Sequence, residues 1–258
     1  MTHRARKRFG QHFLTSSDAI ANIVAAVAPH ENQTIVEIGP GQAAITVPLV
    51  ASGATLHAIE FDRDLVSRLQ RQFAGRENVV LHEADALAFD FASLGEHLRV
   101  VGNLPYNIST PLLFHLLAFR TCITDMHFML QKEVVDRMAA EPGTKAFGRL
   151  TVMLGAWLEI VPLFDVPPEA FTPPPKVMST VVRMRPLPAD HYEIRDGADL
   201  ERIVRQAFSK RRKTLRNALE GTVSTAQLEA AELDPQVRPE QIPVADWIRL
   251  ANQLFVPK

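Results

Sequence analysis

Up to about residue 140 the chain alternates short apolar runs with helical patterns, and no other feature restricts its fold as strongly. Residues 34–40, 55–61, 79–85, 99–105 and 125–131 read as strands, and 62–73 and 108–119 read as helices. Such alternation lays parallel strands in one sheet with helices on both faces. Farther along, 149–158 reads as a helix, whereas 159–166 and 177–185 read as strands with only a proline-rich stretch between them. Two late strands without a crossover helix suggest an antiparallel pair ending the sheet. Residues 198–219, 224–233 and 243–255 read as helices only. The expected fold class is α/β, a mostly parallel seven-stranded sheet with a terminal antiparallel pair, plus a small all-α C-terminal domain. The boundary is expected near residues 186–188, giving domains 1–186 and 187–258.

With 47% apolar residues among 258, the core needs no covalent staples. Cys122 is the lone cysteine, so no intrachain disulfide forms, which fits a reducing, cytoplasmic setting. The first residues are basic without the apolar stretch of a secretory signal, and no apolar run reaches ~18 residues, so no membrane span is expected. The net charge of -1 conceals two basic clusters. Arg4, Arg6, Lys7 and Arg8 precede the first acid, Asp18, and Lys210, Arg211, Arg212, Lys213 and Arg216 contain no acid among them. Clusters of this kind suit local contact with a polyanion, the alternative being a solvated surface.

Glu37-Ile38-Gly39-Pro40-Gly41 stands at the carboxyl end of the first strand. Glycine there lets the backbone approach a ligand, and ligands bind beyond the carboxyl ends of parallel strands. Glu60 ends the second strand, where a carboxylate can accept hydrogen bonds from both hydroxyls of a ribose. Asp85 ends the third, where a carboxylate can accept from an adenine amine. Dinucleotide sites usually carry a third glycine to seat a pyrophosphate, but this chain continues Gln42-Ala43-Ala44. A nucleoside ligand without phosphates is therefore favoured over a dinucleotide.

Asn103-Leu104-Pro105-Tyr106 ends the fourth strand. An exocyclic adenine amine is a poor nucleophile, because its lone pair is delocalised into the ring. Acceptors on its hydrogens, the Asn103 side-chain oxygen and a neighbouring carbonyl, favour the tetrahedral geometry that alkylation needs. Pro105 shapes the loop that presents the carbonyl, and Tyr106 offers a face for a base to stack on. As a bare tetrapeptide it also reads as an ordinary turn. None of the nine histidines shows ligand spacing paired with cysteine, so no metal is expected.

In these residues the chain resembles the ribosomal RNA adenine dimethyltransferase family, most closely its bacterial small-subunit branch. The matching segments are 8–14 (RFGQHFL), 37–41 (EIGPG), Glu60, Asp85-Ala86, 103–110 (NLPYNIST), 171–177 (FTPPPKV) and 208–219 (FSKRRKTLRNAL). The resemblance implies a Rossmann-like methyltransferase fold and S-adenosylmethionine as cofactor, leaving S-adenosylhomocysteine. It implies that Gln11, His12 and Leu14 close over the methionine end, with Gly39 and Gly41 against it, Glu60 at the ribose, and Asp85 and Ala86 at the adenine. Asn103, Leu104, Pro105 and Tyr106 would hold the target base, Asn103 also facing the cofactor, with Phe171 stacking on the other side. The implied substrate is two adjacent adenines in a hairpin near the 3′ end of 16S rRNA, within the immature 30S subunit, for a protein acting as a monomer. His12 stands where the family usually has Asn, and Met178 where an acid is common. Alternatives are a large-subunit rRNA adenine methyltransferase and an assembly factor that only binds.

On a helical wheel Arg202, Arg205, Arg212, Lys213 and Arg216 share one face, and Leu200, Ile203, Val204, Ala207, Phe208, Leu215 and Leu219 share the other. Arg211 falls on the apolar side, which a break near Ser209, with Ser209 capping a second helix, would relieve. With Lys210 and the N-terminal cluster, this basic face is the expected RNA contact.

Overall fold

Seven strands form one sheet in the order Val79–Glu83, Thr55–Glu60, Thr34–Ile38, Leu98–Asn103, Ile123–Gln131, Ser179–Pro186, Leu158–Val166. The computed structural model describes residues 12–255. Its elements run β1 (Phe13–Leu14), α1 (Ser17–Val27), β2 (Thr34–Ile38), α2 (Thr46–Ala51), β3 (Thr55–Glu60), α3 (Arg63–Gln72), β4 (Val79–Glu83), β5 (Leu98–Asn103), α4 (Ser109–Leu117), β6 (Ile123–Gln131) and α5 (Lys132–Met138). They continue with α6 (Arg149–Gly155), β7 (Leu158–Val166), β8 (Phe171–Thr172), β9 (Ser179–Pro186), α7 (Gly197–Ser209), α8 (Leu215–Ala218), α9 (Thr225–Ala230) and α10 (Val244–Leu254). β2 pairs parallel with β3 and β5, β3 with β4, and β5 with β6, whereas β9 runs antiparallel to β6. The mostly parallel sheet and its late antiparallel partner thus follow the hydrophobic pattern.

Central strands of such a sheet are covered on both faces and read as unbroken apolar runs. Ile35 and Val36 of β2 and Val100 of β5 are fully buried. A charge pair inside this core is well satisfied: Arg99 Nε and Nη2 donate to the two oxygens of Asp125 at 3.0 and 2.8 Å, across the β5–β6 register. α3 starts where Asp62 leaves the strand and accepts from the Asp64 N–H. α1, which the pattern did not single out, is capped by Ser16 and buries Ala19, Ile23 and Val27.

By compactness the chain falls into two units. One runs to Val135 and resumes over Val161–Pro186; the other comprises Asp136–Ile160 and the residues from Leu187 onward. In the second, α7 packs on α6 and α10, around Leu200, Ile203, Val204, Trp247 and Leu250. The single helix expected over 198–219 is broken: α7 stops at Ser209 and α8 starts at Leu215. Ser209 does not cap the second helix. Its hydroxyl donates back to the Gln206 carbonyl, and Thr214 occupies the cap position of α8.

Candidate active site

The site grows from the carboxyl ends of β2, β3, β4 and β5. Past Ile38 the chain leaves strand geometry through Gly39 and Gly41, with φ of +69° and +58°. Side-chain-bearing residues rarely adopt such angles, which explains glycine at these two positions. At Gly41 a Cβ would also lie 3.3 Å from the Phe13 ring, so the missing side chain makes room for β1.

Glu60 is the structural hub of this end. Its Oε1 accepts the N–H groups of Phe61 and Asp62 at 2.9 Å each, and its Oε2 accepts the Gly41 N–H at 3.2 Å. The carboxylate therefore holds the glycine turn against the β3 end while it faces the cleft. Burial raises its pKa, and these backbone hydrogen bonds oppose the rise. Asp85 is exposed and folds its own turn, Oδ1 accepting from the Leu87 N–H at 2.9 Å.

Asn103 closes β5. Its Nδ2 donates to the His12 carbonyl at 3.0 Å, so the amide is oriented and Oδ1 is the atom that remains to accept. Leu104 is buried and its N–H donates to the Met129 carbonyl at 3.3 Å. The Tyr106 hydroxyl shares a hydrogen bond of 3.0 Å with the hydroxyl of buried Ser179. Burial raises the Tyr106 pKa, against the opposing effect of that bond.

A cleft of about 240 Å³ opens over these strand ends. Of the expected site residues, His12, Gly39, Gly41, Glu60, Asp85, Ala86, Asn103 and Pro105 line it. Leu104 and Tyr106 are not among its lining residues. Leu14 and Phe171 face each other across the β1–β8 pair and are 6% and 3% exposed, within the hydrophobic core. Gln11, Arg4, Arg6, Lys7 and Arg8 lie outside the described residues.

The sequence reading passed over several wall residues. Phe61 and Asp62 follow Glu60, and Asn107 and Ile108 follow Tyr106, all four lining the cleft. Their signal was adjacency: a residue next to a strand-end acid borders the same ligand. Glu37 was quoted in a motif without a role. It is 2% exposed, and its Oε2 finds no hydrogen-bond partner among the described residues. Burial pushes its carboxyl up to about 8, the nearby Thr46 hydroxyl opposing and the Glu60 charge adding to the rise, so it stays protonated at neutral pH.

In the second unit Arg205, Lys210, Arg212, Lys213 and Arg216 are exposed. Arg202 is engaged with Asp199 at 2.8 Å. Arg211, the misfit on the wheel, is half-buried and donates to the Lys145 carbonyl. Among the described residues no cluster of three or more histidine, cysteine or acidic side chains could hold a metal ion, and no helix is long and apolar enough to cross a membrane.

Comparison with known proteins agrees with this geometry. Over 253 residues the chain is 55% identical to Ribosomal RNA small subunit methyltransferase A of Chromobacterium violaceum, covering 98% of this chain and 96% of that protein. The same-named protein of Pseudomonas aeruginosa is 54% identical, covering 98% and 95%. Among solved structures, a dimethyladenosine transferase from Plasmodium falciparum superposes with a TM-score of 0.82 at 24% identity, over 93% of this chain and 96% of that one. The 23S rRNA methyltransferase ErmE gives 0.75 at 24%, over 94% and 99%, and both likenesses establish the Rossmann-like methyltransferase fold. Residues 2–255 match the family described as Ribosomal RNA adenine dimethylase, and the chain belongs to that family of methyltransferases.

Proposed function

We propose that this protein transfers methyl groups from S-adenosylmethionine to the N6 amines of two adjacent adenines in a 3′-terminal hairpin of 16S rRNA, giving dimethyladenosines in the immature 30S subunit. It does so in the cytoplasm, as a monomer and without a metal. The observation that carries this reading is the Asn103 amide, fixed at Nδ2 so that Oδ1 is the acceptor at the β5 end of the cleft. The 55%-identical relative named for the small subunit favours that substrate.

The cleft suits the cofactor by its donor and acceptor set. Glycine backbone at 39 and 41 allows close approach of the methionine end, Glu60 accepts from the ribose hydroxyls, and Asp85 with Ala86 meets the adenine. Gln11, His12 and Leu14 cover the methionine end. When bound, S-adenosylmethionine supplies an electrophilic methyl group on a sulfonium, and S-adenosylhomocysteine is left. Asn103 Oδ1 accepts an N–H of the target amine and so localises the nitrogen lone pair for in-line attack. Leu104 and Pro105 hold the turn that carries it, and the Tyr106 ring supports the base. Phe171 lies in the core, so its stacking on the base requires the ring to turn outward when RNA binds.

Residues 1–186 act as the catalytic domain, apart from the 136–160 segment that groups with the C-terminal helices, and 187–258 act as a helical RNA-binding domain. Arg202, Arg205, Lys210, Arg212, Lys213 and Arg216, with Arg4, Arg6, Lys7 and Arg8, meet the phosphates.

Radiolabelled cofactor incubated with unmethylated small subunits, followed by nucleoside analysis, tests the reading. Label in dimethyladenosine of 16S rRNA is the expected result. Label in large-subunit RNA moves the protein to the other branch, and cofactor binding without transfer leaves an assembly factor. Asn103→Ala is expected to lower the transfer rate ~10²-fold or more while the cofactor still binds; a rate equal to wild type would sink the mechanism.

A further inference from the structure

Among the described residues, His12 reaches Asn103, Tyr106 and Pro173. Its carbonyl accepts the Asn103 Nδ2 hydrogen bond at 3.0 Å. Its ring lies over the Tyr106 ring, centroids 5.7 Å apart and planes 28° from parallel. Its ring Nδ1 donates to the Pro173 carbonyl at 2.7 Å. Asn103 is 91 and Pro173 161 residues away in sequence, so one residue joins three distant segments.

Among the described residues, the segment that carries His12 is anchored to the strand and loop at 170–173. Phe13 and Leu14 pair with Thr172 and Phe171 over two residues, and the Thr15 N–H donates to the Ala170 carbonyl at 2.8 Å. Leu14 plugs into the core at 6% exposed, and the Phe13 ring fills the space left by the missing Gly41 side chain. A short strap fixed this way transmits its position directly to Asn103 and Tyr106.

We propose that His12 is a positioning residue for the target base: by bridging Asn103, Tyr106 and the Pro173 carbonyl, it fixes the acceptor and the stacking face only when the strap is seated. This rests on the adenine-methylating reading above. The role differs from covering the cofactor, and the two separate in kinetics. Loss of a cofactor contact raises the cofactor KM and spares kcat, whereas loss of alignment lowers kcat at saturating cofactor. An asparagine at this position supplies the backbone carbonyl but no ring to lie on Tyr106, so His12→Asn isolates the ring's contribution.

The test compares wild type, His12→Asn, His12→Phe and His12→Ala on unmethylated small subunits, with cofactor affinity measured by calorimetry on the protein alone. His12→Ala is expected to lower kcat at saturating cofactor by ~10-fold or more, the scale on which small misplacements act, over and above any rise in cofactor Kd that its place at the methionine end brings. His12→Phe, which keeps a ring for Tyr106, is expected to recover part of that loss, and His12→Asn to recover less. Where His12→Ala fails to fold, judged by its melting curve, the Phe and Asn variants decide. Unchanged kcat in all folded variants, or a loss confined to cofactor KM, overturns the positioning role. Failure of wild type itself to methylate adenine would overturn the functional reading, and the base-positioning role with it.

Discussion

Two buried groups set opposite pH dependences within one unit. His127, on β6, is 2% exposed, and neither ring nitrogen finds a hydrogen-bond partner among the described residues. Its pKa falls to about 4, first from burial, with Asp125 opposing and Arg99, Arg183 and Arg185 reinforcing the fall. A base whose folded pKa lies below its unfolded value near 6.5 is protonated first in the unfolded chain, so its contribution to stability is lost as pH falls from about 6.5 to 4. Glu37 works the other way. Its folded pKa of about 8 stands above the unfolded 4.5, so the folded chain holds the extra proton, and stability present below 4.5 is lost as pH rises towards 8. Denaturant titrations from pH 4 to 8 are expected to show a shallow maximum in wild type. His127→Gln should lose the acid-side decline, and Glu37→Gln the decline on the neutral side. Identical profiles for all three proteins would refute both assignments.

Among the elements, β2 and β5 approach at a point where only glycine fits. A Cβ at Gly102 would lie 2.6 Å from the Ile38 carbonyl oxygen and 3.0 Å from the Leu104 side chain. The first obstacle is backbone, so the strands must separate to admit a methyl group. Gly102→Ala is expected to cost about 1–3 kcal/mol in chemical denaturation and to reduce methyl transfer, because Asn103 is the next residue; full stability with full activity would contradict this. Nothing in the run Arg99–Asn103 reveals that constraint, since glycine in a strand has several causes. The strands themselves were legible because two-faced burial writes continuous apolar runs, as in β2 and β5. The strand-end residues Gly39, Glu60, Asp85 and Asn103 were legible because their order along the chain is their order of strand ends. β1 and β8 were not, as two-residue strands leave no period to read. The wheel over 198–219 placed Leu200, Ile203, Val204, Ala207, Leu215 and Leu219 on the buried side, with Phe208 half-buried, yet misplaced the role of Ser209. Its hydroxyl closes the end of α7 instead of opening α8, a choice settled by where the chain turns and not by residue type.

For the whole molecule, a formal net charge of -1 means that RNA affinity must come from local fields. On the proposed reading, replacing Arg212, Lys213 and Arg216 together by alanine lowers the slope of log affinity against log salt by ~2–3, weakening binding without a change in which adenines are labelled. An unchanged slope would remove this face from the RNA contact. The fixed Asn103 amide has its own consequence for how many times the site turns over. On the proposed reading, with Nδ2 tied to the His12 carbonyl, the side chain presents Oδ1 as its acceptor and needs at least one proton from the target amine. A free adenine amine has two protons to give and a once-methylated amine has one, so both satisfy the same grip. A twice-methylated amine has none. Counting protons, then, the site accepts two rounds at each base and loses its hold after the second.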